Sequence, residues 1–399
     1  MAHPGETRQF FILKMFNFFI YATIAILFTF LPLYFKEMGL ETIQIGMIMA
    51  GGPFISIIAN PFWGYWSDRL QNIRRILVIM LLGNLIVIQA VFHWSGSGIL
   101  VPAMIVFFFF QSPLFSQSNS LILNAIEGTS YRFGAFRLWG SLGWAVSAVA
   151  AGWLLQGIGL DRLGPVYSLL LICSLAFTFG LPRGNATAIG QIPNKGYRAL
   201  FANKYFIAFL LLGVLISIPN SINSTFVSLY IAELGGTESM IGWSAFLSAA
   251  FEAPVFLLLD RYLKRNPVTM IACLVLVCLL FAIRWFLMSA VTGAGQIVLT
   301  QILHCVSFGS YYYIGTQLTA QMVPRELRAT GQAAYALTWA GVSGIVAGVV
   351  GGWLFSAVGP RTMYGIGAGI SLLGMIGFAI LWRQMSKGAG KNVHKPLSA

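Results

Sequence analysis

Long apolar segments recur along the whole chain, and they constrain its fold more than any other feature of the sequence. A helix needs about 20 mostly apolar residues to cross the hydrocarbon layer of a bilayer. Charged or turn-forming residues separate twelve segments of this kind, at about 10–35, 43–66, 76–94, 99–126, 133–156, 163–182, 204–232, 238–260, 267–290, 294–322, 329–357 and 360–383. The pattern therefore predicts twelve membrane-spanning helices.

Composition supports this prediction and favours helices over strands. Charged residues make up 9% of the chain, whereas soluble domains contain about 25%. Runs such as VPAMIVFFFF are continuously apolar and lack the alternating polarity of membrane β-strands. We therefore expect an all-α integral membrane protein.

Lys and Arg are distributed unevenly among the predicted loops. If the amino terminus is cytoplasmic, the loops and tails on that side contain 18 of the 24 basic residues, and the opposite loops contain Lys36, Arg162 and Arg361. Because short cytoplasmic loops are enriched in Lys and Arg, we expect both termini on the cytoplasmic side of the inner membrane. Anionic lipid head groups then explain the net charge of +13 without a nucleic-acid partner.

A polar stretch at 182–204 separates two parts of the chain that resemble each other. The span ending in Asp68 and Arg69 is echoed by the span ending in Asp260 and Arg261, and RFGAFRLWGSLGWAVSAVAAGWL is echoed by RATGQAAYALTWAGVSGIVAGVVGGWL. We predict two pseudo-symmetric six-helix halves, 1–182 and 204–399, joined by a cytoplasmic linker at 183–203. This organisation is typical of a transporter whose substrate site lies between its halves.

Few ionisable residues lie inside the predicted spans. They are Lys14, Arg137, Glu252, Arg284 and His304, with Glu127 at the cytoplasmic end of span four. A charge at the bilayer centre costs about 2.5–3.5 kcal/mol on insertion scales, so such residues usually face a cavity or a partner. Glu252 and Arg284 are deep and opposite in sign, and we expect them to pair directly until a proton on Glu252 releases Arg284.

The loop after the second span reads GYWSDRLQNIRR, at 64–75. It resembles the signature of the major facilitator superfamily, although residues 70–73 lack a glycine that many members have. The resemblance implies a cytoplasmic gate that contains Gly64, Asp68, Arg69, Arg74 and Arg75. The same charges can also be explained by the positive-inside distribution alone.

Four further segments resemble one branch of that superfamily. FEAPVF, IRWFLMSA and QILHCVSFGS, on spans eight to ten, and YRFGAFRLWGSLGWAVSA, on span five, are similar to segments of the lactose permease branch and its phenylpropionate permease group. The resemblance implies the superfamily fold and a proton symporter. It also implies that Glu252, His304 and Arg284 serve proton coupling, that Arg137 and Arg284 bind substrate, and that Trp144 stacks on it.

The chain departs from lactose permease at two positions. Ser307 stands where that branch has its proton-carrying carboxylate, so the resemblance leaves the proton carrier open. The substrate-binding carboxylate of span four has no clear counterpart, and Asn124 is the candidate kept for this role beside Asn119 and Glu127. His304 can also be a neutral packing imidazole.

Other candidate residues have a structural alternative as well. Lys14 can face the cavity as a substrate ligand or extend to the cytoplasmic head groups. Asn220 and Asn223 supply uncharged donors for substrate hydroxyls, or they cap backbone groups freed by Pro219. Trp144 can pack between helices instead of contacting substrate.

These residues predict a proton-coupled symporter that imports a small polar organic solute and functions as a monomer. A saccharide would bind Arg137, Asn220, Asn223 and Trp144, whereas an aromatic carboxylate would pair with Arg137 or Arg284. The alternatives are a proton-antiport exporter of drugs or metabolites and a nucleoside/proton symporter. No nucleotide-binding loop, metal-ligand spacing or catalytic constellation is present in the sequence, so we expect no enzyme activity, no metal and no cofactor other than the proton.

Overall fold

The computed structural model describes residues 4–93, 97–129, 131, 133–182, 203–264, 266–324 and 327–393, which form helices and no strand. The helices before the predicted linker are α1 (Pro4–Glu37), α2 (Thr42–Leu70), α3 (Ile73–His93), α4 (Ser97–Gln111), α5 (Leu114–Ile126), α6 (Phe133–Ile158) and α7 (Leu163–Thr178). Those after it are α8 (Lys204–Glu233), α9 (Glu238–Ala250), α10 (Glu252–Tyr262), α11 (Pro267–Ala290), α12 (Ala294–Thr300), α13 (Ile302–Met322), α14 (Arg328–Ala336) and α15 (Ser343–Val393).

Ten helical segments within the described residues are long and apolar enough to cross a membrane. One of them, Thr330–Lys387, has 58 residues. It bends at Gly359, whose φ of 79° and ψ of 162° interrupt α15, so this segment covers the last two predicted spans. The predicted tenth span corresponds to α12 and α13. The all-α membrane fold predicted from the sequence is therefore confirmed.

Several helices are interrupted where the hydropathy pattern predicts continuous spans. Pro113 separates α4 from α5, and Phe251 separates α9 from α10 three residues before Pro254. Proline has no backbone N–H and cannot continue the hydrogen-bond ladder of a helix. Gln301 separates α12 from α13, and a π-helix at Leu337–Val342 joins α14 to α15. These breaks correct the predicted continuity.

The predicted linker, 183–203, lies outside the described residues except for Asn203, so the division into two domains stays a prediction. We use "first half" for α1–α7 and "second half" for α8–α15. Within the first half, α1 packs on α6 and α7, and α3 packs on α4. Within the second half, α15 packs on α8 and α11, and α13 packs on both α10 and α11. Between the halves, α2 packs on α15, α6 packs on α9, and α1 packs on α8.

Glycines bring the halves together at one end of the molecule. We call the end where α1 begins and α2 ends the near end, and the opposite end the far end. At the far end, a side-chain carbon added to Gly46 of α2 would collide with the backbone of Gly348 of α15. A carbon added to Gly242 of α9 would collide with the backbone of Ala148 of α6. The two halves are thus in backbone contact at both places.

The same contacts recur one turn further along. Gly352 of α15 approaches the backbone of Thr42, and Gly152 of α6 approaches the backbone of Glu238. Gly152 and Gly352 occupy matching positions in the two echoed segments, each followed by Trp and Leu. We call the four contacts at Gly46, Gly242, Gly152 and Gly352 the far-end seal. The far-end seal is therefore pseudo-symmetric.

The near end of α2 is open. A carbon added to Gly64 would meet no atom within 4 Å, and the side chain of Tyr65 is 60% exposed. The close backbone contacts between the halves lie at the far end, whereas α5, α10 and α13 pack on helices of their own half. We call the space between the halves toward the near end the cleft.

Candidate substrate and proton site between the halves

Arg284 of α11 is completely buried and is held by neutral acceptors. Its Nη2 donates to Gln301 Oε1 at 2.8 Å, and its Nη1 donates to Asn220 Oδ1 at 3.3 Å. Nη1 also lies 3.0 Å from His304 Nδ1. The guanidinium stacks over the ring of Trp285, with Cζ 4.3 Å from the ring centroid. Three helices therefore fix this cation.

His304 lies between Arg284 and Glu252, so the direct pair predicted from the sequence is not formed. Because a guanidinium only donates hydrogen bonds, Nδ1 of His304 accepts and the ring proton is assigned to Nε2. Nε2 lies 3.9 Å from Glu252 Oε1, too far for a direct hydrogen bond. The separation arises because α13, which carries His304, packs between α10 and α11.

A second layer of neutral side chains supports this row. Asn223 donates through Nδ2 to Gln301 Oε1 at 3.3 Å, and its Oδ1 accepts from the Tyr364 hydroxyl at 3.1 Å. Asn220 and Asn223 are both buried. Both asparagines are thus engaged in orienting Arg284, and the role in binding hydroxyls expected from the sequence stays a prediction.

Arg137 of α6 lies on the opposite wall of the cleft. Its Cζ lies 4.5 Å from the ring centroid of Tyr21 and 5.1 Å from that of Phe115. Its Nη1 is buried without a hydrogen-bond partner among the described residues. Across the cleft, Tyr312 and Glu252 of the second half lie within electrostatic range of this guanidinium. The structure therefore brings Arg137, Glu252, His304 and Arg284 into one site.

The remaining first-half candidates lie around this site. Trp144 is half-buried against the apolar core, one turn before Ala148 of the far-end seal. Lys14 is half-buried, with Nζ 5.7 Å from the ring centroid of Phe136 at the start of α6. Asn124 is half-buried in the last turn of α5. Their roles in binding substrate stay predictions.

The residues of the predicted gate lie at the near end, where α2 ends and α3 begins. Arg74 donates to the carbonyl oxygen of Leu181 at 3.0 Å, a contact within the first half. Arg69 and Arg75 are exposed. Among the described residues, Asp68 forms no ion pair. The role of these residues in a gate stays a prediction.

Comparison with known proteins decides the family. Residues 10–366 match the family described as MFS_1 like. The chain belongs to this family of the major facilitator superfamily. Maltose permease of Geobacillus stearothermophilus is 29% identical over 346 residues, which cover 86% of this chain and 87% of that protein. The probable 3-phenylpropionic acid transporter of Escherichia coli strain K12 is 24% identical over 367 residues, covering 89% and 93% of the two chains.

The fold of this MFS_1-like protein is shared with solved transporters. The crystal structure of the nucleoside transporter NupG superposes with a TM-score of 0.74 at 18% sequence identity, over 95% of this chain and 99% of that one. The chain is thus a multi-pass membrane protein and a secondary transporter. The expectation of transport, not enzymatic catalysis, is confirmed by the relatives and structural neighbours.

Two residues of the transporter's site were not predicted from the sequence. Gln301 shares its carbonyl oxygen between Arg284 and Asn223, and Tyr364 anchors Asn223 from α15. A signal was available for Gln301, because it lies one turn before His304 in the QILH segment. Tyr364 had no local signal, since a tyrosine in an apolar span is unremarkable in composition.

Proposed function

We propose that this transporter is a proton-coupled symporter that imports a saccharide. The observation that carries the proposal is the row formed by Arg284, His304 and Glu252, facing Arg137 across the cleft. The similarity to a maltose permease supports the saccharide class. A sugar hydroxyl can accept a hydrogen bond from Nη1 of Arg137, which has no partner among the described residues. The rings of Tyr21 and Phe115 can pack on the apolar face of the sugar.

Coupling follows from the charge on Glu252. When Glu252 is ionised, its carboxylate attracts Arg137 of the other half and competes with substrate for that guanidinium. A proton on Glu252 removes this attraction and leaves Arg137 free to bind a substrate oxygen. A proton on Glu252 and a sugar on Arg137 together end the attraction that Glu252 exerts on Arg137 across the cleft, so the doubly loaded protein can close at the near end and open at the far end.

Glu252 is the proposed proton carrier because Ser307 cannot take this role. The Ser307 hydroxyl is buried and donates to the carbonyl oxygen of Leu303 at 2.7 Å. His304 lies next to Glu252, with Nε2 3.9 Å from Glu252 Oε1. We further propose a monomer in the inner membrane, with the near end and both termini in the cytoplasm and with no cofactor.

An aromatic carboxylate is the second candidate substrate. The observation that favours it is the cationic Arg137, whose Nη1 has no hydrogen-bond partner among the described residues and lies beside two aromatic rings. A planar acid could stack on those rings while its carboxylate binds the guanidinium in two places. The similarity to a 3-phenylpropionic acid transporter supports this class.

Counterflow in proteoliposomes tests these proposals. Purified protein is reconstituted in vesicles preloaded with unlabelled maltose, uridine or 3-phenylpropionate, and entry of the labelled solute is followed together with a pH-sensitive dye. We expect saturable maltose counterflow, and proton entry when maltose is added outside empty vesicles. Proton exit on maltose entry would indicate antiport, and absence of counterflow with maltose would overturn the saccharide assignment.

A further inference from the structure

Trp339 lies in the π-helix at Leu337–Val342, which joins α14 to α15. A π-helix in the middle of a membrane span often marks a functional site. The matching stretch of α6 in the first half is regular α-helix, so this turn is not required by the repeated fold. Side chains satisfy the carbonyls that it displaces: Ser343 Oγ donates to Thr338, and Ser221 Oγ donates to Trp339 at 3.5 Å.

The π-helix lies immediately beneath the far-end seal. Two residues after it, a carbon added to Gly344 would approach the Pro53 ring of α2 to 2.6 Å. Trp339 is therefore placed at the inner end of the cleft, where the two halves begin to touch.

The Trp339 ring packs against aromatic residues of α13 that extend from the proton site. Its centroid lies 5.5 Å from that of Tyr312, edge to face, and 5.9 Å from that of Phe308. Phe308 in turn stacks on His304 at 4.9 Å. Tyr312, like Glu252, lies within electrostatic range of Arg137 across the cleft. Trp339 and Arg137 thus flank the same space from opposite halves.

Both residues carry a hydrogen-bond donor that lacks a partner in the described part of the chain. The indole Nε1 of Trp339 and Nη1 of Arg137 are buried without a hydrogen bond among the described residues. A buried donor left unsatisfied is destabilising, and its satisfaction by a ligand oxygen contributes correspondingly to binding. Aromatic faces beside such donors are suited to the apolar face and the hydroxyls of a pyranose ring.

We propose that Trp339 is a substrate-binding residue of the second half, with its indole N–H donating to a sugar oxygen and its ring, with that of Tyr312, contacting the apolar face of the sugar. This inference rests on the proposed saccharide function and deepens it. Arg137 then binds the same sugar from the first half. The contact lies beside the π-helix, so bound sugar touches the segment that leads directly into the far-end seal.

Substitution of Trp339 tests this role in maltose counterflow. Trp339→Phe keeps an aromatic ring and removes the donor, and we expect the KM for maltose to rise about tenfold with little change in maximal rate, since one hydrogen bond is lost. Trp339→His retains a ring N–H, and its KM should fall between those of the wild type and Trp339→Phe. The matched control is Trp353→Phe in α15, because the Trp353 side chain is 55% exposed.

The possible outcomes distinguish a failure of the binding role of Trp339 from a failure of the proposed saccharide transport. If wild type exchanges maltose and Trp339→Phe does so with an unchanged KM, the binding role is overturned while the saccharide proposal stands. A reduced maximal rate at unchanged KM would assign Trp339 to helix movement and would also overturn the binding role. A wild type that exchanges no maltose would overturn the saccharide proposal, and this inference with it.

Discussion

His304 joins two charged residues that lie on different helices. One ring nitrogen faces Nη1 of Arg284, and the other faces Oε1 of Glu252. The imidazole can therefore transmit a change in the charge of Glu252 to Arg284 by a change of tautomer or a small rotation. Arg284 keeps its position during such a change because it also donates to Asn220 of α8 and to Gln301 at the break between α12 and α13.

Arg284 substitutions test whether charge alone suffices at this position. A lysine keeps the positive charge, but its single nitrogen cannot reproduce a planar fork that donates to Gln301, Asn220 and His304 together. We expect Arg284→Lys to reduce the initial rate of proton-coupled maltose uptake about tenfold. We expect Arg284→Ala to reduce this rate to that of vesicles without protein. Uptake is measured with an imposed inward proton gradient.

Arg162→Ala is the control for these variants. The Arg162 side chain is 63% exposed and pairs only with its neighbour Asp161 among the described residues, so this variant should transport at the wild-type rate. Wild-type uptake by Arg284→Ala would contradict the assigned role and leave Arg284 as a structural cation.

Some of these residue positions follow from the sequence and others do not. A buried charge in a membrane span is costly, so the positions of Arg284 and Glu252 inside apolar spans predicted that both residues belong to a functional site. Sequence spacing along three helices could not reveal that His304 would separate them, because this depends on which helix packs between the other two. Gln301 could have been identified from its position one turn before His304, whereas nothing in the local sequence distinguishes Tyr364 from an ordinary tyrosine of a membrane helix.

At the scale of helices, the far-end seal depends on the absence of side chains at four crossing points. Two matched pairs of helices, α2 with α15 and α6 with α9, approach until backbones touch. The small-residue content of α6 and α15 predicts such close contact. Their partners could not be identified from the sequence, because the pairing of halves is a long-range property.

Helix interruptions were the least predictable feature of the elements. Hydropathy is insensitive to a one-residue break, so the gaps at Phe251 and Gln301 and the π-helix at Leu337–Val342 were missed. Glu252 begins α10 directly after one gap, and Gln301 occupies another. Two residues of the site therefore lie where the backbone departs from regular helix.

Enlarging a glycine of the seal should keep the far end open. A leucine at Gly46 would overlap the backbone of Gly348, and overpacking of a close contact costs about 1–3 kcal/mol. We expect Gly46→Leu to lower maltose uptake about tenfold or more. A cysteine-directed, membrane-impermeant probe added on the far side should label a cysteine introduced at Trp144 faster in this variant.

Gly157→Leu is the matched control, because a carbon added at Gly157 in the far-end part of α6 meets no atom within 4 Å. It should leave both uptake and labelling unchanged. Equal effects of the two leucines would mean that the seal is not the contact that closes the far end.

At the scale of the whole molecule, the sequence predicted most of the architecture. Continuous apolar segments require membrane-spanning helices, and the echoed segments around Gly152 and Gly352 predicted internal duplication. The relative placement of the halves, closed at the far end and separated at the near end, is a state of the molecule with no signature in sequence. The substrate is likewise unspecified, because transporters of this architecture differ chiefly in a few residues of the cleft.

Proton coupling through Glu252 is the central claim for the whole transport cycle, and Glu252→Gln tests it most directly. Glutamine keeps the size and polarity of the side chain but cannot exchange a proton. It resembles the protonated carboxyl, so the loaded protein should still move its substrate between the two sides. Glu127→Gln is the matched control, because Glu127 is exposed at the end of α5.

The measurement compares two modes of maltose transport by the same proteoliposomes: exchange at equal pH, and accumulation against a maltose gradient driven by an inward proton gradient. For Glu252→Gln we predict exchange close to the wild-type rate and no accumulation, whereas wild type and Glu127→Gln should perform both. Accumulation of maltose by Glu252→Gln would contradict the account and place the coupling proton on another residue.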